Sequence, residues 1–267
     1  MKVKIMNWNI LHGFHQSEYP YALDHVRLNS AIWLVKKAKP DILALTEACY
    51  GGSNPFKTKM NYEQIFGYKY GFFGRWGNYE WGNMLLSNYP ISGQSLIFAD
   101  RTALRCRLNI EDKFLNFDVI HMSPYLKEKK KAESVTNLIR ESARPYILTG
   151  DFNAISPADN YSKARLQSGF AKLMGVKKAN RYVNDLLKGA CIRNVLREGL
   201  LDTYRTLKGD TNYTVPTDVA SINKSTGLRV DYIFCSSGLK VSGAGIIKSK
   251  YAETASDHYP TYAIMSL

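Results

Sequence analysis

The stretch Tyr146-Ile-Leu-Thr-Gly-Asp-Phe-Asn153 decides the fold. Its first four residues read as a buried strand that runs through Gly150 into two polar groups. In extended chain alternate residues share a face, so Asp151 and Asn153 point one way while Phe152 anchors in the core. Taken alone, Gly150-Asp-Phe-Asn153 is equally an Asx turn after a strand. Recurrence gives it weight. Residues 2–10 alternate as a strand carrying Asn9, and Asp41-Ile-Leu-Ala-Leu-Thr-Glu47 is a buried strand with an acid at its end. In the strand at about 114–122, Leu115, Phe117, Val119 and His121 share a face, which places an imidazole at the end of an apolar row. Arg229-Val-Asp-Tyr-Ile-Phe234 sets Asp231 inside an apolar strand, with Arg229 pointing to the opposite face. Asp257-His258 stands just before the final strand. Buried ionisable groups are costly unless paired or metal-bound. Such groups on so many strand ends point to one shared polar site at the rim of a sheet, where loops hold chemistry on a rigid frame.

Outward from these strands, helical spacing predicts helices at about 21–38, ended by Pro40, and at 127–140. In the second, Ala132, Val135, Leu138 and Ile139 face inward and the lysines outward, so Lys127-Glu-Lys-Lys-Lys131 reads as a solvated face. Residues 161–200 also read as helical. Further strands are expected at 104–110, 239–247 and from Tyr259 to the end. The Gly/aromatic stretch 67–83 reads as an edge hairpin whose aromatics fill the core between sheets, although Trp76 and Trp81 beside Arg75 could also stack bases. Strands and helices interleave throughout with no linker and no firm repeat, which predicts one α/β layered domain over residues 1–267.

The chain has 267 residues, 36 Lys+Arg against 23 Asp+Glu, and a formal charge of +13. Composition of this kind excludes disorder, and the charge favours polyanionic partners: nucleic acid, anionic lipid or small phosphoesters. No apolar run approaches the roughly 18 residues of a membrane span, and residues 1–10 do not read as a secretory signal. Cys49, Cys106, Cys191 and Cys235 lie far apart without a Cys-x-x-Cys pair, which fits reduced thiols in a cytoplasmic protein and not a disulfide scaffold. A monomer is expected.

The order Asn9-Ile10, Thr46-Glu47, Gly82-Asn-Met-Leu-Leu-Ser87, His121, Gly150-Asp-Phe-Asn153, Arg229-Val-Asp-Tyr-Ile233 and Ser256-Asp-His258 resembles the endonuclease/exonuclease/phosphatase superfamily. The resemblance implies a four-layer α/β/β/α sandwich with two mixed sheets, and a divalent-metal phosphoesterase that uses Mg²⁺, with Mn²⁺ as a possible substitute. It implies Glu47 as a metal ligand, with Asn9 and Asp257 at or beside the metal. Asp151 would orient or deprotonate the attacking water, Asn153 would hold a phosphate oxygen, and His258, oriented by Asp231, would contact the scissile phosphate. His121 would stabilise the charged transition state or assist the leaving group. Hydrolysis of a phosphodiester needs those functions whatever the family: an activated water, neutralised phosphoryl oxygens and a stabilised leaving oxygen.

For substrate, Glu47-Ala-Cys-Tyr50 lacks the lysine that abasic-site endonucleases usually carry after the metal glutamate. His12, three positions after Asn9, is either near the phosphate or an exposed loop residue, and Cys49 reads as a buried filler. Residues 161–200 carry nine Lys/Arg against two acids and begin eight residues after Asn153. Lys163, Arg165, Lys172, Lys177, Lys178 and Arg181 are therefore expected to track a phosphate backbone, which favours a nuclease on DNA or another nucleic acid. The alternatives are a phosphatase or phospholipase C-like enzyme on inositol phosphates or sphingolipids, and a catalytically silent binding module of the same fold.

Overall fold

The computed structural model describes residues 1–16, 22–49, 60–77, 81–210, 212–220 and 224–267. Twelve strands form two six-stranded sheets. The first has the order β11(Lys240–Ile246), β12(Thr261–Ser266), β1(Lys2–Asn9), β2(Ile42–Cys49), β4(Trp81–Ser87), β3(Tyr70–Arg75). The second runs β5(Ile91–Phe98), β6(Arg101–Ile110), β7(Lys113–His121), β8(Tyr146–Asp151), β10(Asp231–Ser236), β9(Leu200–Asp202). Each sheet holds one parallel pair, β1 with β2 and β7 with β8, and antiparallel pairs elsewhere. The helices α1(His25–Ala38) and α3(Glu128–Arg140) make the two crossovers between parallel strands.

The alternation seen in the sequence becomes three layers of packing. Val3, Ile5, Leu104, Phe117, Val119, Ile147, Ile233 and Met265 meet between the sheets. Opposite residues of the same strands, among them Met6, Trp8, Leu43 and Leu45, pack under α1 and α8(Lys250–Ala255). On the far side Ile120, Leu148 and Phe234 pack under α3 and α6(Ala190–Arg197). α1 starts where Asp24 accepts hydrogen bonds from the backbone N–H groups of Val26 and Arg27, and it stops at a left-handed Lys39 before Pro40.

The strand expected at 104–110 extends to Arg101, and β5 was not expected. β5 lies at a sheet edge and is largely exposed, so it lacks the apolar alternation of a half-buried strand. The helical stretch 161–200 is three helices: α4(Lys163–Met174), α5(Val176–Leu186) and α6, broken at Gly175 and Gly189. Two short helices, α2(Tyr62–Phe66) and α7(Thr203–Leu207), complete the fold. The hairpin reading of 67–83 holds for β3 and β4, with 78–80 outside the described residues. Phe72 packs toward the inter-sheet core and Phe73 toward the α1 side, whereas Trp76 and Trp81 lie near the polar site.

One lysine corrects the expected helix face. Lys131 is buried, its Nζ donating to the carbonyl of Asn153 and lying 3.9 Å from the Glu128 carboxylate. It falls four residues before Val135, so it lies on the apolar stripe rather than on the solvated side.

Candidate active site

Strand geometry collects the polar residues at one end of the inter-sheet layer. His121 pairs in register with Asp151 across β7 and β8, and Asp151 with Asp231 across β8 and β10. Each continues a row that fills the inter-sheet core, so all three side chains enter the same space. Gly150 permits this close pairing: its φ is +137°, and a Cβ there would stand 1.8 Å from the Ile120 carbonyl oxygen. In the other sheet Asn9 ends the inward row of Val3, Ile5 and Asn7. Glu47 lies at a β-bulge opposite β4, where the register shifts between Leu45 and Ala48 and Glu47 takes φ +58°. A bulge re-aims a side chain.

Amides tie the two halves together. Asn9 Nδ2 donates to Glu47 Oε1 (3.1 Å) and to Asp151 Oδ2 (3.0 Å), spanning the sheets. Asn7 Nδ2 reaches the Gly150 carbonyl (3.3 Å), and Asn83 Nδ2 those of Thr102 (2.8 Å) and Val119 (3.3 Å). The second Glu47 oxygen accepts from the backbone N–H of His12 (3.0 Å), whose half-exposed ring lies 3.6 Å away. Ser256 Oγ donates to the Asn9 carbonyl and lies 3.3 Å from Asp257 Oδ1, which brings the last motif onto the first.

On the second sheet, His258 Nδ1 and Asp231 Oδ2 are 2.7 Å apart, and His258 Nε2 is 3.9 Å from Asp151 Oδ2. His121 Nε2 lies 3.4 Å from Asp151 Oδ2, 3.4 Å from Asn153 Nδ2 and 3.9 Å from Glu47 Oε1. Asn153 also donates to the Met122 carbonyl (2.9 Å), and its backbone N–H donates to Asp151 Oδ1 (2.9 Å). Arg229 is indeed not the partner of Asp231: it is buried and paired with Asp159 through two nitrogens and with Asp202 (2.8 Å).

These contacts set the protonation states apart. Burial, with repulsion from Asp231, pushes the Asp151 carboxyl up to about 7. Burial opposes charge on His258, but the attraction of Asp231, Asp257 and Asp151 outweighs it and holds the imidazole well above its usual range. Burial, together with the Arg101 and His258 charges, keeps His121 well below that range. Burial and Glu47 raise Asp257 against the pull of His258. One charged imidazole thus faces several carboxylates. Asp231 Oδ1 is buried with no hydrogen-bond partner among the described residues. Ligand atoms of Asp151, Asp231 and His258 lie within 4.8 Å of one another. This excess of buried negative oxygen fits a cation, and the three residues form a candidate metal site.

Arg27 and Arg101 did not stand out in the sequence. The buried Arg27 guanidinium donates to the carbonyls of Ile10, Leu11, His15 and Ala255, clasping the loops that carry Asn9 and Asp257. It precedes Ala31 by four residues, so helical spacing already placed it on the core face of α1. Of the basic residues in 161–200, Lys178, Arg181 and Lys188 line a groove of about 760 Å³ with Tyr125, Lys127 and Lys131, and Lys131 joins that groove to Asn153. Lys163, Arg165, Lys172 and Lys177 are exposed outside it. Cys49 is buried, as are the other three cysteines, and no disulfide forms among the described residues.

Residues 6–258 match the Endonuclease/Exonuclease/phosphatase family, and the chain belongs to that family. It is a phosphoesterase of the deoxyribonuclease-like fold. An abasic-site endonuclease from Archaeoglobus fulgidus is 20% identical, covers 99% of this chain and 100% of its own, and superposes with a TM-score of 0.66. A Neisseria 3′ phosphatase bound to a product DNA hairpin is 18% identical over 98% of each chain, with a TM-score of 0.63. TDP2 from D. rerio, bound to single-stranded DNA product, is 15% identical, covers 100% of this chain and 99% of its own, and gives 0.64. No curated protein matches the chain. No helix among the described residues is long and apolar enough to cross a membrane.

Proposed function

We propose that the protein is a Mg²⁺-dependent phosphodiester hydrolase acting on nucleic acid, with Mn²⁺ able to substitute. The observation that carries the reading is the convergence of Asp151, His121 and His258 at the junction of the two sheets, with His258 Nδ1 2.7 Å from Asp231 and both imidazoles within 3.9 Å of Asp151. The ion has two candidate places, the Asp151–Asp231–His258 cluster and the oxygen donors Glu47 and Asp257 with Asn9 beside them. The second leaves Asp151 and His258 to the water and the phosphate, since His258 Nδ1 is 2.7 Å from Asp231. When bound, the ion supplies neutralisation of phosphoryl oxygens and lowers the pKa of water.

The chain's own groups divide the remaining work. Asp151, with a carboxyl near neutrality, takes the proton of the attacking water. His258, held by Asp231 in one tautomer and orientation, presents a charged N–H to a phosphoryl oxygen. His121, kept neutral, and the Asn153 amide lie on the other side of Asp151 and donate to the phosphate or the leaving oxygen. Pushing neighbouring groups apart in this way is how one site supplies both base and acid.

Two features support a nucleic acid substrate. The charge is +13, and the groove lined by Lys178 and Arg181 leads away from Asn153 past Lys131. Relatives of the same fold are bound to DNA. Four buried cysteines, with no disulfide among the described residues, support work in a reducing compartment such as the cytoplasm.

The test is purified protein with Mg²⁺ or EDTA on plasmid, single-stranded and abasic DNA, RNA, inositol phosphates and sphingomyelin. Metal-dependent cleavage of a nucleic acid is expected. Turnover of inositol phosphates or sphingomyelin alone would remove the nucleic acid reading, and no turnover of any substrate would make the chain a binding module.

A further inference from the structure

Between the β3–β4 hairpin and the turn joining β5 to β6 lies a cleft of about 650 Å³. Trp76, Trp81, Ile97, Arg101 and Ser123 line it, together with one carboxylate, Asp100, which forms no ion pair with Arg101 among the described residues. It adjoins the site, for the Trp76 ring stands edge-on to His121 at 5.0 Å and the Trp81 ring 5.3 Å from His12. Ile97 at its edge is 98% exposed.

Arg101 is the unexplained group. Its guanidinium lies 4.4 Å over the Trp76 ring, and Nη1 is buried without a hydrogen-bond partner among the described residues. No carboxylate among those residues forms an ion pair with it, although Arg105, on the same strand, is fully engaged with Asp118. The side chain is only half-buried, but its Nη1 donor is shut off from solvent and unmatched, and an anion oxygen is the partner that would satisfy it. Stacking on an indole fixes the guanidinium plane and leaves its edge free for a planar fork of donors to oxyanion oxygens. Its charge is close enough to help keep His121 neutral.

We propose that this cleft is a nucleotide subsite, in which Arg101 binds an oxygen of the phosphate and the attached base lies against the indoles of Trp76 and Trp81. The inference rests on the phosphodiesterase reading and adds the place where a nucleoside unit is held. Aromatic side chains accept any base because every base has a π-face. A polyhydroxyl headgroup such as an inositol would make no use of two indoles and an exposed isoleucine.

The experiment uses metal-free full-length protein in EDTA, with deoxyadenosine monophosphate, inositol monophosphate and inorganic phosphate as probes. Binding is read by calorimetry and by tryptophan fluorescence. The nucleotide is expected to bind at least about tenfold tighter than the other two, since a base stacked on an aromatic is worth that much. Arg101→Ala should weaken all three by roughly 10- to 100-fold, with Arg101→Lys recovering part of the loss. Trp81→Ala should weaken the nucleotide alone. Ile97→Ser, a neutral change at a position that is 98% exposed, should do the same at an unchanged Tm.

Equal affinity for the three probes, or nucleotide affinity that survives Arg101→Ala, overturns the subsite. Hydrolysis of bis(p-nitrophenyl) phosphate in Mg²⁺ by the unaltered protein and by Asp151→Asn scores the parent reading separately. Hydrolysis that needs Asp151, combined with unselective binding, sinks only the subsite. Selective binding combined with hydrolysis indifferent to Asp151 sinks only the mechanism.

Discussion

Replacing Asp151 by asparagine should abolish hydrolysis and yet, without metal, stabilise the fold in a pH-dependent way. The carboxyl titrates near 7 when folded against an ordinary value of 3.8, because burial and Asp231 oppose its charge. A raised folded pKa means that the native chain holds this proton more tightly than the unfolded chain. The associated stability is complete below about 3.8 and is lost as pH rises through 7. At ~1.4 kcal/mol per pH unit, ionisation of Asp151 costs the fold about 2 kcal/mol at pH 5 and about 4 kcal/mol at pH 8. The amide carries no such cost. Asn9 Nδ2 donates to the carboxylate oxygen that the amide nitrogen would replace, a mismatch of ~1–3 kcal/mol that does not depend on pH. The offset cancels between two pH values, so Asp151→Asn should gain about 2–3 kcal/mol on the unaltered protein between pH 5 and pH 8. Urea unfolding in EDTA at both pH values measures this directly. A difference in stability that is the same at both pH values, or that shrinks toward pH 8, refutes the account of Asp151 as a carboxylate held against its charge.

Other outcomes follow from the same geometry. His258→Ala should lower Mg²⁺-dependent kcat by roughly 10²–10⁴-fold, and Asp231→Asn, which loses the 2.7 Å partner of His258, should lower kcat more than it raises KM. Steady-state kinetics on any diester that is turned over checks both. Arg229→Met strands Asp159 and Asp202 in the interior and should cost about 3–5 kcal/mol in urea unfolding, with part returned when Asp159→Asn is added. Charge reversal at Lys178 and Arg181 in the 760 Å³ groove should reduce the slope of log affinity for single-stranded DNA against log salt by about 0.7 per lost phosphate contact. A slope unchanged in that variant removes the groove from the binding path.

The site was legible to the extent that polar residues interrupt apolar strands. Asn9, Glu47, His121, Asp151 and Asp231 each stand where a core side chain was due, and alternation gave the direction of all but Glu47, which only the bulge in β2 turns toward the site. The partnership of Asp231 with His258 was implied by the family resemblance alone, because they lie 27 positions apart and no local period encodes it. Arg101 was hidden for a related reason. An arginine beside a turn reads as solvated until tertiary pairing lays the β3–β4 hairpin against it and Trp76 over its guanidinium. Lys131 and Arg27 could have been found. Both fall on the apolar stripe of their helices, four residues before Val135 and Ala31, and a charge on such a stripe marks a buried partner.

The amides that cross between the sheets make the thickness of the inter-sheet layer a functional dimension. Asn9 and Glu47 ride on one slab, Asp151 and His121 on the other, and the gap is filled by Ile5, Leu104, Phe117 and Ile147. Trimming one of these residues lets the slabs settle, and enlarging one wedges them apart, far from any reacting atom. Because misplacement by about an ångström can cost 10²-fold in rate, the core sets the spacing of the site as a shim sets a bearing. Substitutions that conserve the volume of that layer should be tolerated, while others should reduce turnover before they reduce the melting temperature.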